Sequence, residues 1–129
     1  MIRKIGAAII SDGKLMVVSK KTSPAKFMLP GGKPEPGETD IETLKRELLE
    51  EINVNVVSAK KIGEFDTTSM LEPLPLSMTI FLTEVDKVPH PGSEIEHVKW
   101  VDYSDINDLS LGTGVTKFAL PKLREMGLL

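Results

Sequence analysis

The sequence predicts an α/β fold in which short strands alternate with helices. Leu76 to Val85 (LSMTIFLTEV) is dense in β-branched and aromatic residues, the composition of a strand. Ile41, Leu44, Leu48 and Ile52 recur at helical spacing and fall in one stripe about 80° wide. Glycine, proline and small polar residues punctuate the chain between such runs. At 129 residues there is length for one good core and too little for two domains, so a single domain over residues 1–129 is expected.

In chain order, Ile2 to Ile10 and Lys14 to Ser19 read as strands flanking Ser11-Asp12-Gly13, a tight hairpin turn. Lys20 to Phe27 is polar and reads as a loop, leading through Met28 and Leu29 into Pro30-Gly31-Gly32. That triplet forces a tight turn where backbone groups approach a ligand closely. Pro36 and Gly37 then deliver the chain into a helix. Thr39 followed by Glu42 has capping-box spacing, so the helix starts at Thr39, and Asp40 and Glu42 suit its positive end. Asn53 is the expected stop, because after glycine it best tolerates the left-handed conformation. Beyond it, Val54 to Val57 and Lys61 to Phe65 read as strands, as does His97 to Val101, with Glu94 in the loop before it. Thr113 to Met126 reads as a helix that Pro121 kinks or restarts.

The helix carries the chemistry. Glu47, Glu50 and Glu51, at i, i+3 and i+4, occupy a sector apart from the apolar stripe. Beside Lys45 and Arg46, a solvated acidic face is the ordinary reading of such a cluster. The glycine turn just upstream favours a site. Oxygen-only ligands on rigid helical spacing suit a hard divalent cation such as Mg²⁺ or Mn²⁺, and that cation points to phosphate chemistry.

Gly32, Glu38, Arg46, Glu47, Leu48, Glu50, Glu51 and Val54 stand at the spacing of a known signature, and the chain resembles the Nudix (MutT-type) hydrolases. The match covers 23 of 129 residues and departs once, at Asn53, where the family pattern has glycine. Because asparagine suits the same backbone conformation, Asn53→Gly is expected to be nearly silent. The resemblance implies an α/β/α sandwich with a mixed central sheet. It implies a divalent metal held by Glu47, Glu50 and Glu51, joined by the backbone carbonyl of Gly31. It implies that Arg46 orients the carboxylates and that Glu38 pairs with Arg46. The implied reaction is attack of a metal-activated water on phosphorus in a nucleoside diphosphate linked to another group. The general base is a box glutamate or a downstream acidic residue, where Glu94 and Glu96 are the candidates. Glu94, six residues before Trp100, has the spacing of family members with an extra metal-binding glutamate.

Composition narrows the classes. A net charge of −3 gives no basic footprint for a nucleic-acid polymer. The absence of cysteine excludes thiol catalysis, disulfides, cysteine-bound zinc and the isoprenoid diphosphate isomerases of this fold, which need a reactive cysteine. The apolar run near the N-terminus is broken too early for a secretory signal, and none reaches membrane-spanning length, so a cytoplasmic protein with no membrane partner is expected. Monomer and homodimer both remain open. Lys20, Lys21, Lys26 and Lys33 are candidates for phosphate oxygens, with Lys20 and Lys33 preferred. Phe27, read as a loop residue, is the preferred platform for base stacking over Phe65, Phe81 and Trp100. Neither Pro73 nor Pro75 matches the marker of ADP-ribose pyrophosphatases, and Tyr103 is not placed as in dinucleoside-polyphosphate hydrolases. The box style points to nucleoside triphosphates (NTP or dNTP, oxidised ones included), cleaved to monophosphate and pyrophosphate. An ADP-ribose or nucleotide-sugar pyrophosphatase is the alternative, and a catalytically silent nucleotide sensor is the alternative of another class.

Overall fold

Alternation along a single buried strand organises the molecule. In the computed structural model, which describes residues 2–69, 71 and 73–129, Leu15 and Val17 face one core while Met16 and Val18 face another, all four fully buried. A strand apolar on both faces needs cover on both, and helices supply it. The strands are β1 (Ile2–Ala8), β2 (Ile10–Ser11), β3 (Lys14–Lys20), β4 (Ser23–Met28), β5 (Gly31–Gly32), β6 (Val56–Thr68), β7 (Pro75–Val85) and β8 (Ile95–Val101). The helices are α1 (Asp40–Ile52) and α2 (Leu120–Glu125), the latter preceded by a π-helical stretch, Gly114–Ala119. One four-stranded sheet runs β5-β1-β7-β6, with β1 and β7 parallel and the other pairs antiparallel. In the second, β3 pairs with β2 and β4, and also with β8.

Leu44, Leu48 and Ile52 of α1 pack with Ile5, Ala7, Met16 and Val18. Ala119, Leu120 and Leu123 pack with Leu15, Val17, Met78 and Ile80 on the opposite side. The result is the expected mixed sheet between helices. Each fully buried leucine or isoleucine of α1 contributes about 1.5–3 kcal/mol. The start of α1 is set locally: Thr39 accepts the Glu42 N–H at 3.2 Å, and Glu42 accepts the Thr39 N–H at 2.9 Å. Thr39→Ala is expected to destabilise the protein by about 1 kcal/mol in urea unfolding, and an unchanged midpoint would show the cap to be idle. The helix ends at Asn53 in the left-handed region, φ 58° and ψ 40°, as its sequence position suggested.

Other expectations also match the structure. The hairpin turns at Asp12-Gly13, Glu94 precedes β8, and Pro121 lies in the first turn of α2. Three expectations are corrected. The strand read over Ile2 to Ile10 is two, β1 on β5 and β7 in one sheet and β2 on β3 in the other, a break at Ile9 that an unbroken apolar run does not show. Lys20 to Phe27 is not a loop: β4 occupies Ser23–Met28 and pairs with β3 across a register shift at Ser19/Lys20. As a mostly exposed edge strand it shows no apolar alternation and tolerates Pro24. The two short strands read over 54–57 and 61–65 are one 13-residue strand, β6, whose bulges at Val56/Ser58 and Lys61/Gly63 interrupt the period the sequence displays. Among the described residues, no helix is long and apolar enough to cross a membrane.

Candidate active site

The turn before α1 fits only glycine. Gly31 adopts φ 145°, and a Cβ there would run into the carbonyl oxygen of Ile5 on β1. This close approach lets Gly31-Gly32 pair with Ile5 and Gly6 as the short strand β5. It also aims the Gly31 N–H at Glu51, whose Oε1 accepts it at 2.8 Å. Glu51 thus leaves the solvent side of its helix and is only 8% exposed.

Beside it lies a cleft of about 390 Å³. Among the residues singled out from the sequence, Gly31, Gly32, Glu47, Glu50 and Glu51 line it together. Lys20, Lys33, Arg46 and Glu94 line it as well. Glu38 does not reach the cleft. It stands behind Arg46, which donates to it through Nε at 2.7 Å and Nη2 at 2.9 Å. Arg46 Nη1 donates to Glu47 Oε1 at 2.7 Å and lies 3.7 Å from Glu50 Oε2, while Nη2 reaches the Lys33 carbonyl at 3.1 Å. One planar guanidinium therefore ties the approach loop to the helix. Lysine has no such fork. Arg46→Lys is expected to lower turnover with a divalent cation about 10- to 100-fold, and an unchanged rate would show that charge alone suffices.

Phe27 is a correction. It lies in β4 rather than a loop and is not among the residues lining the cleft. Its backbone is held by Ser110 and Gly112, and its ring stacks on His97 with centroids 6.4 Å apart. Sequence reasoning missed Lys4, Met78 and Thr113 on the cleft wall. Lys4 stands beside Arg3 just before the apolar run that begins at Ile5, and only the fold brings it to the cleft. The other two come from segments far apart in sequence that meet only in the fold, where Met78 packs beside Gly114, and they carry no local signal.

Electrostatics divides the carboxylates. The Arg46 hydrogen bonds hold Glu38 down to about 2. Burial pushes Glu51 up to about 7 against the pull of the Gly31 N–H, with Glu47 pushing the same way and Lys20 and Lys4 drawing it back. Burial also raises Glu47, in spite of Arg46. A buried carboxylate so poorly neutralised fits a cation, and the available donors are hard oxygens on successive turns of one helix. Among the described residues, no three acidic or histidine side chains converge closely enough to hold an ion. Glu47 is engaged by Arg46 and Glu51 by Gly31.

The sequence profile of the NUDIX domain matches residues 2–119. Comparison with curated proteins finds no match. Among solved structures, the chain is similar to the MutT protein from Methanosarcina mazei Go1, with TM-score 0.81 and 22% identity over 97% of this chain and 94% of that one. It is similar to a MutT Nudix hydrolase from Burkholderia pseudomallei, with TM-score 0.76 and 23% identity over 95% and 97%. A UDP-X diphosphatase aligns with TM-score 0.69 and 22% identity over 80% of this chain and 51% of its own. At these identities the likenesses show the fold. With all eight described strands, α1 and the whole described cleft wall inside the matched span, the chain belongs to the Nudix hydrolases, enzymes that act on pyrophosphate bonds.

Proposed function

We propose that this Nudix hydrolase is a metal-dependent pyrophosphohydrolase of nucleoside triphosphates, NTP or dNTP with oxidised bases among them. It releases a monophosphate and pyrophosphate. The observation that carries this reading is the mixed lining of the cleft. Glu47, Glu50 and Glu51 share it with Lys4, Lys20 and Lys33, and with the apolar side chains of Leu71, Leu76, Met78 and Val115. A triphosphate needs the charged part of that lining and a base the apolar part.

A divalent cation would be held by Glu47, Glu50, Glu51 and the backbone at Gly31 once the carboxylates now engaged by Arg46 and the Gly31 N–H turn toward it, and it would neutralise phosphate oxygens and acidify water. The chain's own residues do the rest. Gly31-Gly32 lets the phosphates approach the backbone, and Lys20 and Lys33, both on the cleft wall, bind the outer phosphate oxygens. Arg46, locked by Glu38, fixes the direction of Glu47. Glu50 and Glu94 remain exposed at the cleft, so their carboxylate oxygens can accept the proton that the attacking water loses as its oxygen bonds to phosphorus and the bridging P–O bond breaks.

The likeness to a UDP-X diphosphatase makes nucleotide sugars the competing substrates to test. Hydrolysis of canonical and oxidised (d)NTPs, ADP-ribose, nucleotide sugars and diadenosine polyphosphates should be compared with Mg²⁺ and with Mn²⁺. Triphosphates are expected to give the highest kcat/KM. A preference of tenfold or more for ADP-ribose or a nucleotide sugar would overturn the assignment.

A further inference from the structure

The loop that carries Glu94 is fastened to the C-terminal end of α1. A helix end leaves carbonyls without intrahelical partners. Here the Glu51 carbonyl accepts the Gly92 N–H at 2.6 Å, and the Ile52 carbonyl accepts the His90 N–H at 3.0 Å. Gly92 comes so close that a Cβ would run into the carbonyl oxygens of Glu50 and Glu51. Asn53 closes the junction from the helix side. Its Nδ2 donates to the carbonyls of His90 at 3.2 Å and Pro91 at 3.4 Å. Two residues beyond Gly92, Glu94 lines the cleft, and its own carbonyl accepts the N–H of Lys21, the neighbour of Lys20, at 3.0 Å. The Ile95 N–H returns to the Gly92 carbonyl at 3.2 Å, tightening the turn between them.

We propose that Asn53 is a positioning residue: with Gly92 it locks the 90–94 loop onto the turn of α1 that bears Glu50 and Glu51, and so fixes Glu94 relative to the helix carboxylates. The inference rests on the reading of Glu94 as part of the site. Glycine at this position would supply the left-handed backbone alone. Asparagine supplies that backbone and a donor for two carbonyls of a distant loop. The expectation that Asn53→Gly is silent is therefore withdrawn.

The test uses Asn53→Gly and Asn53→Asp, each alone and combined with Glu94→Gln. It reads kcat, KM and amide hydrogen exchange at His90 and Gly92 in the metal-free protein. Asn53→Gly keeps the backbone and removes the donor. It is expected to speed exchange at both amides about fivefold or more and to lower kcat between about three- and tenfold with KM little changed. Asn53→Asp also tolerates the left-handed conformation but turns an acceptor toward two carbonyl oxygens, so it should lose at least as much. Neither substitution should lower turnover further once Glu94 is Gln. Unchanged exchange in Asn53→Gly would overturn the clamp. Full activity in Asn53→Asp would show that only the backbone conformation matters, against the side-chain role. A loss that persists undiminished over Glu94→Gln would overturn the route through Glu94. Full turnover by Glu94→Gln alone would remove Glu94 from the site, and the positioning role with it, whatever the exchange shows.

Discussion

Glu51→Gln lowers turnover at saturating Mg²⁺ by about three orders of magnitude, the scale of the several kcal/mol that a bound cation supplies to phosphoryl chemistry. The fold survives, because Gln keeps the shape and its carbonyl oxygen still accepts the Gly31 N–H. Steady-state kinetics beside a thermal melt separate the two effects. A turnover number within a few-fold of the parent would remove Glu51 from the metal-binding set.

The same substitution has a pH signature. In the folded, metal-free protein burial pushes Glu51 up to about 7, while its ordinary value is 4.5. Between those values the unfolded chain releases a proton that the folded chain keeps. Stability of the metal-free protein should therefore fall as pH rises from about 4.5 to about 7, by on the order of 3 kcal/mol. Glu47, also raised by burial, acts in the same direction. Glu38, held down to about 2, acts in the opposite sense and below this window: its stabilisation is present above the ordinary value and is lost in acid. Denaturant unfolding at pH 5 and pH 8 without metal reads the slope. Mg²⁺ should recover stability at pH 8, and Glu51→Gln should flatten the profile. A metal-free stability that rises over this range would contradict the burial account.

Gly31→Ala carries the largest expected loss of stability, about 3 kcal/mol or more. At φ 145° an alanine is strained, and its Cβ would meet the Ile5 carbonyl oxygen, a backbone atom that cannot turn aside. Relief requires moving β5 off β1, which also withdraws the Gly31 N–H from Glu51. Urea unfolding measures the loss, and a change below about 1 kcal/mol would show that the turn has room to relax.

The helix and most of its site were legible because their signals are local. Thr39 and Glu42 cap one end, Asn53 the other, and the carboxylates follow from helical spacing alone. The edge strand β4 was missed because Ser23 to Lys26 faces solvent on both sides and shows no alternation, and this carried Phe27 into the wrong setting. The unity of β6 was hidden by its bulges. Lys4 is one of two adjacent charges at the start of β1, and that it is close enough to act on Glu51 depends on how β1 meets β5 and the helix. The tie from Asn53 to His90 and Pro91 spans 37 and 38 residues, so no window of sequence contains both partners.

The central claim is that the glutamates of α1 serve hydrolysis of a triphosphate to monophosphate and pyrophosphate. Phosphorus NMR of a dNTP incubated with Mg²⁺ and the parent protein, with Glu51→Gln as control, tests it most directly. The expected spectrum shows nucleoside monophosphate and pyrophosphate growing in equal amounts, and no change with the variant. Nucleoside diphosphate with orthophosphate, or equal turnover by Glu51→Gln, would contradict it.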